Sequence, residues 1–171
     1  MQNLSENIYK ILIVGDGNVG KTSYINKIIT GKLNESHDLG DKEAKFNTNT
    51  GKKIILKLID NDYNIKILES IEKSDKFDFI IIMFDFENKS SYDNISNLYN
   101  FVVKMTENNS ILLVGNKCET RHPEIFQIDI NFHLKKNIDY YSISTKSNYN
   151  IEKPILYIVR KLLNDSNIHF V

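Results

Sequence analysis

Residues 8–30 read IYKILIVGDGNVGKTSYINKIIT, and this run decides the fold. Residues 8–14 are mostly apolar and end at Gly15, the pattern of a buried strand. Residues 21–30 set Tyr24, Ile25, Ile28 and Ile29 on one face of a helix. Between them, Gly15-Asp16-Gly17-Asn18-Val19-Gly20-Lys21-Thr22 fills the pattern G-x-x-x-x-G-K-[ST] without a gap. The glycines let the backbone curl until the N–H groups of Asp16, Gly17, Asn18, Val19, Gly20, Lys21, Thr22 and Ser23 converge on phosphate oxygens. The helix N-terminus adds partial positive charge at the same place. Lys21 brings a full charge, and the Thr22 hydroxyl is a ligand for Mg²⁺. By itself the motif does not separate GTPases from ATPases or small-molecule kinases.

Outward from this unit, short apolar runs alternate with amphipathic segments. Residues 46–48 and 53–59 read as a hairpin around Asn49-Thr50-Gly51, after a polar loop over 32–45 that follows a helix stop at Gly31. Residues 61–76 are polar, with room for a short helix. Strands are expected over 77–84, 110–114 and 138–143, and helices over 90–105, 124–136 and 150–164. Ser90 is expected to cap the first of these helices, and Pro154 falls in the first turn of the last. Alternation of this kind implies a mostly parallel sheet covered on both faces, with ligands at the carboxyl ends of its strands.

Bulk properties narrow the function. The 171 residues suit one domain, and 22 acidic residues balance 22 basic ones. A net charge of zero gives no attraction to nucleic acid or membrane surfaces. The single cysteine, Cys118, excludes an intrachain disulfide and fits a reducing compartment. No apolar run reaches membrane length, residues 1–10 lack a signal core, and the sequence offers no prenylation or myristoylation motif. The expectation is a soluble monomer of the cytoplasm or nucleus. His37, His122, His133 and His169 are scattered without metal-ligand spacing, and no serine stands in a nucleophile elbow.

Two further boxes concern base recognition. Gly115-Asn116-Lys117-Cys118-Glu119 follows an apolar strand and resembles the N-K-x-D box of small GTPases. There an Asn amide orients the loop and base, a Lys stem stacks on the base, and a carboxylate accepts from guanine N1 and N2. Ser144-Thr145-Lys146 resembles the S-A-K box, whose backbone N–H meets guanine O6. Residues 140–161, YYSISTKSNYNIEKPILYIVRK, resemble the last strand and helix of the Ran-type small GTPases of the Ras superfamily. The segments IIMFD (81–85), FHLKKN (132–137) and DSNIHFV (165–171) carry the same likeness. The resemblance spans the chain as a single GTPase domain, 1–171, and is weakest over 32–76. It implies an α/β, three-layer P-loop fold with a six-stranded, mostly parallel sheet and about five helices. It also implies GTP or GDP as ligand, Mg²⁺ as cofactor, and nuclear transport receptors or Ran-type regulators as partners. The family's C-terminal switch helix and acidic tail have no counterpart before Val171.

The departures from that pattern predict altered chemistry. The first switch should hold a Thr on Mg²⁺, whereas His37-Asp38-Leu39-Gly40 stands here in a shortened loop, with Asp38 as the nearest counterpart. A carboxylate ligates Mg²⁺ but repels a γ-phosphate. The second switch should read D-x-x-G-Q, and here it reads Asp60-Asn61-Asp62-Tyr63-Asn64. Asp60 remains to hold Mg²⁺ through water, Tyr63 replaces the glycine, and Asn64 is one methylene too short to orient water as Gln does. Phosphoryl transfer rests on positioning, so hydrolysis should be weak or absent. Leu33 stands where an aromatic should back the guanine, a loss of ~1–3 kcal/mol. Glu119 replaces Asp, and Thr145 replaces Ala with added crowding near O6. Together these predict nucleotide binding weakened by ~10²–10³-fold. On the surface, Lys135 and Lys136 keep part of a basic receptor-facing patch, opposed by Asp129. The alternative is a pseudo-GTPase that engages transport factors with static nucleotide or none.

Overall fold

A computed structural model describes residues 7–30, 42–62, 76–106 and 110–171. Its sheet has six strands in the order β2-β3-β1-β4-β5-β6. These are β1 (Asn7–Gly15), β2 (Glu43–Asn47), β3 (Lys53–Asp62), β4 (Phe79–Asp85), β5 (Ile111–Asn116) and β6 (Asp139–Ser142). All neighbours run parallel except β2 and β3, which form the expected hairpin. The helices are α1 (Lys21–Thr30), α2 (Lys89–Asp93), α3 (Ile95–Thr106), α4 (Phe132–Lys136) and α5 (Glu152–Leu163). The α/β fold is the one expected, with five α-helices among the described residues.

The apolar runs are continuous because both faces of the central strands are covered. Ile11 and Ile13 of β1 point into one core with Tyr24 and Ile25 of α1 and Ile155, Ile158 and Val159 of α5. Leu12 and Val14 point into a second core with Ile95, Leu98 and Val102. The period of two thus divides one strand between two layers of helix. Every residue of β4 is buried. At ~1.5–3 kcal/mol for each large apolar side chain, these strands set the order of the sheet.

Several local expectations need correction. β2 begins at Glu43, inside the stretch read as loop, because Ala44 and Phe46 face the core on alternate positions. β3 continues through Asp62, paired with Gly15, so Asn61 and Asp62 extend the strand. Residues 90–105 are two helices, parted at Asn94, whose Nδ2 donates to Asp16 Oδ1 at 2.7 Å. Asn88 caps the first of them; its side chain accepts from Ser91 N, and Ser90 donates to Asn88 Oδ1 from within the first turn. Residues 124–136 hold only a short 3₁₀ turn, Gln127–Asp129, and α4. The buried Ile125 and Ile130 are five apart, a spacing that no single helical face accommodates. The Tyr92 hydroxyl also accepts from Asn131 N and Phe132 N at 2.9 and 3.1 Å, ending any longer helix there. The chain's last residues lie along the β2–β3 hairpin, where Phe170 stacks on Phe46 and Val171 N donates to Asn47 O. The readings at Gly31 and across residues 63–75 lie outside the described residues.

Candidate functional site

The β1–α1 turn has the shape its glycines allow. Gly20 sits at φ +98°, and a Cβ there would come within 2.3 Å of Asn116 Nδ2. A Cβ on Gly15 would meet the Met83 carbonyl oxygen at 2.3 Å, so the loop leaves β1 flush against β4. Asn18 adopts φ +64°, which asparagine tolerates. Lys21 is buried, and its Nζ donates to Gly15 O at 3.0 Å and Asp16 O at 2.7 Å. Those bonds hold the ammonium within the curl of the loop, beside the N–H groups of the α1 N-terminus. Asp16, tied to Asn94, fastens the outer side of the loop to the α2–α3 junction.

At the Thr22 end of the loop, the Thr22 hydroxyl donates to Asp60 Oδ2. Lys42 Nζ lies 3.0 Å from Asp60 Oδ1. Burial pushes the Asp60 carboxyl up, but the bonds from Thr22 and Lys42 outweigh it, so the group sits below the ordinary carboxylate value. A hydroxyl and a carboxylate side by side are hard oxygen donors, and that set fits Mg²⁺. Thr22 and Asp60 are therefore the residues that would hold the metal, which would neutralise phosphate charge. Lys42 was not legible as part of this group. Asp38, the other expected ligand, lies outside the described residues, as do Leu33 and the catalytic candidate Asn64.

The base end is a cleft of about 300 Å³. Asn18, Gly20 and Ser23 line it from the phosphate loop and the first turn of α1, Asn116 from the end of β5, Lys117 and Glu119 from the turn after it, Glu87 from after β4, and Thr145 and Lys146 from beyond β6. Asn116 is buried and ties these parts together. It donates to Val19 O at 3.0 Å and accepts from Thr145 N at 3.1 Å and Thr145 Oγ1 at 2.9 Å. The Thr145 hydroxyl is thus engaged on Asn116. Lys117 holds φ +61°, a costly conformation for a non-glycine residue and a mark of a functional turn. Its Nζ lies 2.5 Å from Asp85 Oδ2 and 3.5 Å from Glu87 Oε2. Burial pushes the Lys117 ammonium down, but these two carboxylates more than reverse it and leave its pKa raised. With its head anchored, the alkyl stem is available as a flat apolar support.

A model of the Ras family matches residues 10–164. The chain belongs to the Ras family. Guanine nucleotide with Mg²⁺ is the general ligand of these small GTPases, and along one edge of this Ras-family sheet the phosphate loop lies between the Thr22–Asp60 pair on one side and the base cleft on the other.

Of the residues named from sequence, Ser144 does not face the cleft. It is buried, its Oγ accepts from Ser147 N at 2.9 Å, and its backbone bridges Tyr149, so it shapes the loop that presents Thr145 and Lys146. Val19 contributes its carbonyl, while its side chain is core. Cys118 is a spacer whose N–H donates to Ile143 O at 3.1 Å, with its thiol pushed up by burial. Asp85 and Glu87 were missed, although their place at the carboxyl end of β4 was the available signal. A larger open cavity, about 560 Å³, lies between Ile28, Phe46 and Ile151, and none of its lining residues belongs to the phosphate loop or to residues 116–119.

Proposed function

We propose that the whole chain, 1–171, acts as one GTPase domain of the Ran-like type, binding GTP or GDP with Mg²⁺ and hydrolysing GTP weakly or not at all. One observation carries the reading: Asn116 joins Val19 of the phosphate loop to Thr145 of the base loop across a cleft lined by Lys117 and Glu119. That tie couples a phosphate grip to a base-reading edge, and Glu119 supplies the acceptor that the donor edge of guanine requires. Residues 140–161, as β6, its following loop and α5, carry the Ran-like sequence. Lys135 and Lys136 are exposed residues at the end of α4, with the Lys136 ammonium over the Tyr99 ring, a surface suited to acidic transport receptors. The compartment is cytoplasm or nucleus; among the described residues no helix is long and apolar enough to cross a membrane. The test is to denature purified protein and identify the released nucleotide by chromatography. Guanine nucleotide supports the reading; adenine nucleotide overturns it.

A pseudo-GTPase is the second reading, favoured by Tyr63 and Asn64 in place of the glycine and glutamine that position water. Exchange of bound guanine nucleotide for a labelled analogue separates the two: exchange fits the first reading, and static or absent nucleotide fits the second. Turnover that a Ran-type activator stimulates to family rates would rule out both the impaired enzyme and the pseudoenzyme.

A further inference from the structure

The Thr22–Asp60 pair carries a cation of its own. Lys42 stands just before β2, and its carbonyl accepts from Leu58 N at 2.8 Å, which continues the hairpin ladder. The backbone is therefore held while the side chain reaches Asp60 Oδ1 at 3.0 Å, with side-chain exposures of 15% and 20% for the lysine and the aspartate. The other Asp60 oxygen accepts from Thr22. Both carboxylate oxygens are thus engaged, one by an ammonium and one by the hydroxyl at the head of α1.

We propose that Lys42 is a tethered counter-ion that competes with Mg²⁺ at Asp60 and so lowers the dependence of nucleotide retention on the metal. This rests on the nucleotide-binding reading above. An unpaired Asp60 beside the phosphate loop would repel a polyphosphate, and a divalent cation would normally offset that repulsion. Here the aspartate–lysine pair is already neutral. A divalent ion approaching Asp60 must displace Lys42 or meet its positive charge. A single fixed charge at contact distance in a partly buried site changes an equilibrium by more than about tenfold. Lys42 therefore lowers affinity for Mg²⁺ and supplies part of the charge that Mg²⁺ would bring.

The test uses the full chain loaded with a fluorescent GDP analogue. Its dissociation rate is measured in excess Mg²⁺ and in EDTA, and the ratio of the two rates is the readout. For the native chain the ratio should stay below about tenfold, and Lys42→Met should raise it by about tenfold or more. Lys42→Arg, which keeps the charge, should behave as the native chain does. Titrating Mg²⁺ against the loaded proteins should give tighter apparent metal binding in Lys42→Met. Lys42→Gln serves the same purpose if the methionine variant does not fold. A ratio that is unchanged in the neutral variants overturns this inference and leaves the nucleotide-binding reading standing. Failure of every variant and of the native chain to take up labelled nucleotide, with or without Mg²⁺, overturns both.

Discussion

Replacing Asn116 by alanine should damage the fold before any nucleotide is added. The side chain is buried and makes three hydrogen bonds, to Val19 O, Thr145 N and Thr145 Oγ1. In Asn116→Ala the Thr145 hydroxyl can turn to another acceptor, but the Thr145 N–H and the Val19 carbonyl are left behind without their partner. At ~1–3 kcal/mol for each of the two buried polar groups left unsatisfied, the loss comes to ~2–6 kcal/mol. At about 2–4 °C per kcal/mol for a domain of this size, that lowers the melting temperature by roughly 4–24 °C. Asn116→Asp sharpens the argument. It keeps an acceptor for Thr145 but sets a second oxygen against the Val19 carbonyl. A carboxyl there titrates above its unfolded value, so the variant is best off at low pH, where it donates as the amide does, and loses stability as pH rises through the raised pKa. Thermal melts of nucleotide-free protein, with Lys135→Ala as a surface control, measure the structural part; GDP dissociation measures the rest. An Asn116→Ala protein that melts within about 2 °C of the native chain would refute the claim that this amide ties the site together.

Gly20→Ala should abolish tight nucleotide binding, because φ +98° is strained for alanine and the new Cβ would sit 2.3 Å from Asn116 Nδ2; equilibrium titration with labelled GDP checks it, and near-native affinity would count against the loop geometry. Tyr24→Phe removes the bond from the Tyr24 hydroxyl to Ile151 O, a loss of about 1 kcal/mol near neutral pH in denaturant melts. Burial raises the Tyr24 pKa, so the native chain's advantage is complete below the ordinary tyrosine value of 10.0 and is lost as pH rises above it, where the unfolded phenol ionises first. The two melting curves should therefore converge in alkali, and a constant gap would sink the assignment. Asp85→Asn leaves the Lys117 head on Glu87 alone and lowers its raised pKa, and GDP dissociation should speed up by about tenfold as the stem loses its shorter anchor.

The phosphate loop was legible because its requirements are local. A curl of N–H groups needs glycine at set positions and a lysine at a set offset, so eight consecutive residues from Gly15 to Thr22 state the chemistry. The second half of β1, with β4 and β5, was legible for a similar reason, since a strand covered on both faces must be apolar throughout. The short helices were not. Asn94 parts α2 from α3 at the point where its side chain is bonded to Asp16, which lies distant in sequence, and Ile125 and Ile130 are drawn into the second core by neighbours that no local window contains. Asn116, Lys117 and Glu119 could be named from their order after β5, whereas the role of Asp85 and Glu87 as anchors for Lys117 could not.

What the chain alone determined is therefore the class of ligand: a backbone cradle for phosphate, a box with a carboxylate for the base, and membership of a family that uses both. Tertiary structure decided how those parts are coupled and charged. Parallel neighbours in the sheet bring β1, β3, β4 and β5 to one edge, and there an amide from β5 reaches the phosphate loop and a lysine from before β2 reaches the aspartate of β3. Electrostatic pairing acts over a few ångströms of space and is indifferent to separation along the chain, so no reading of residue order could have placed Lys42 on Asp60.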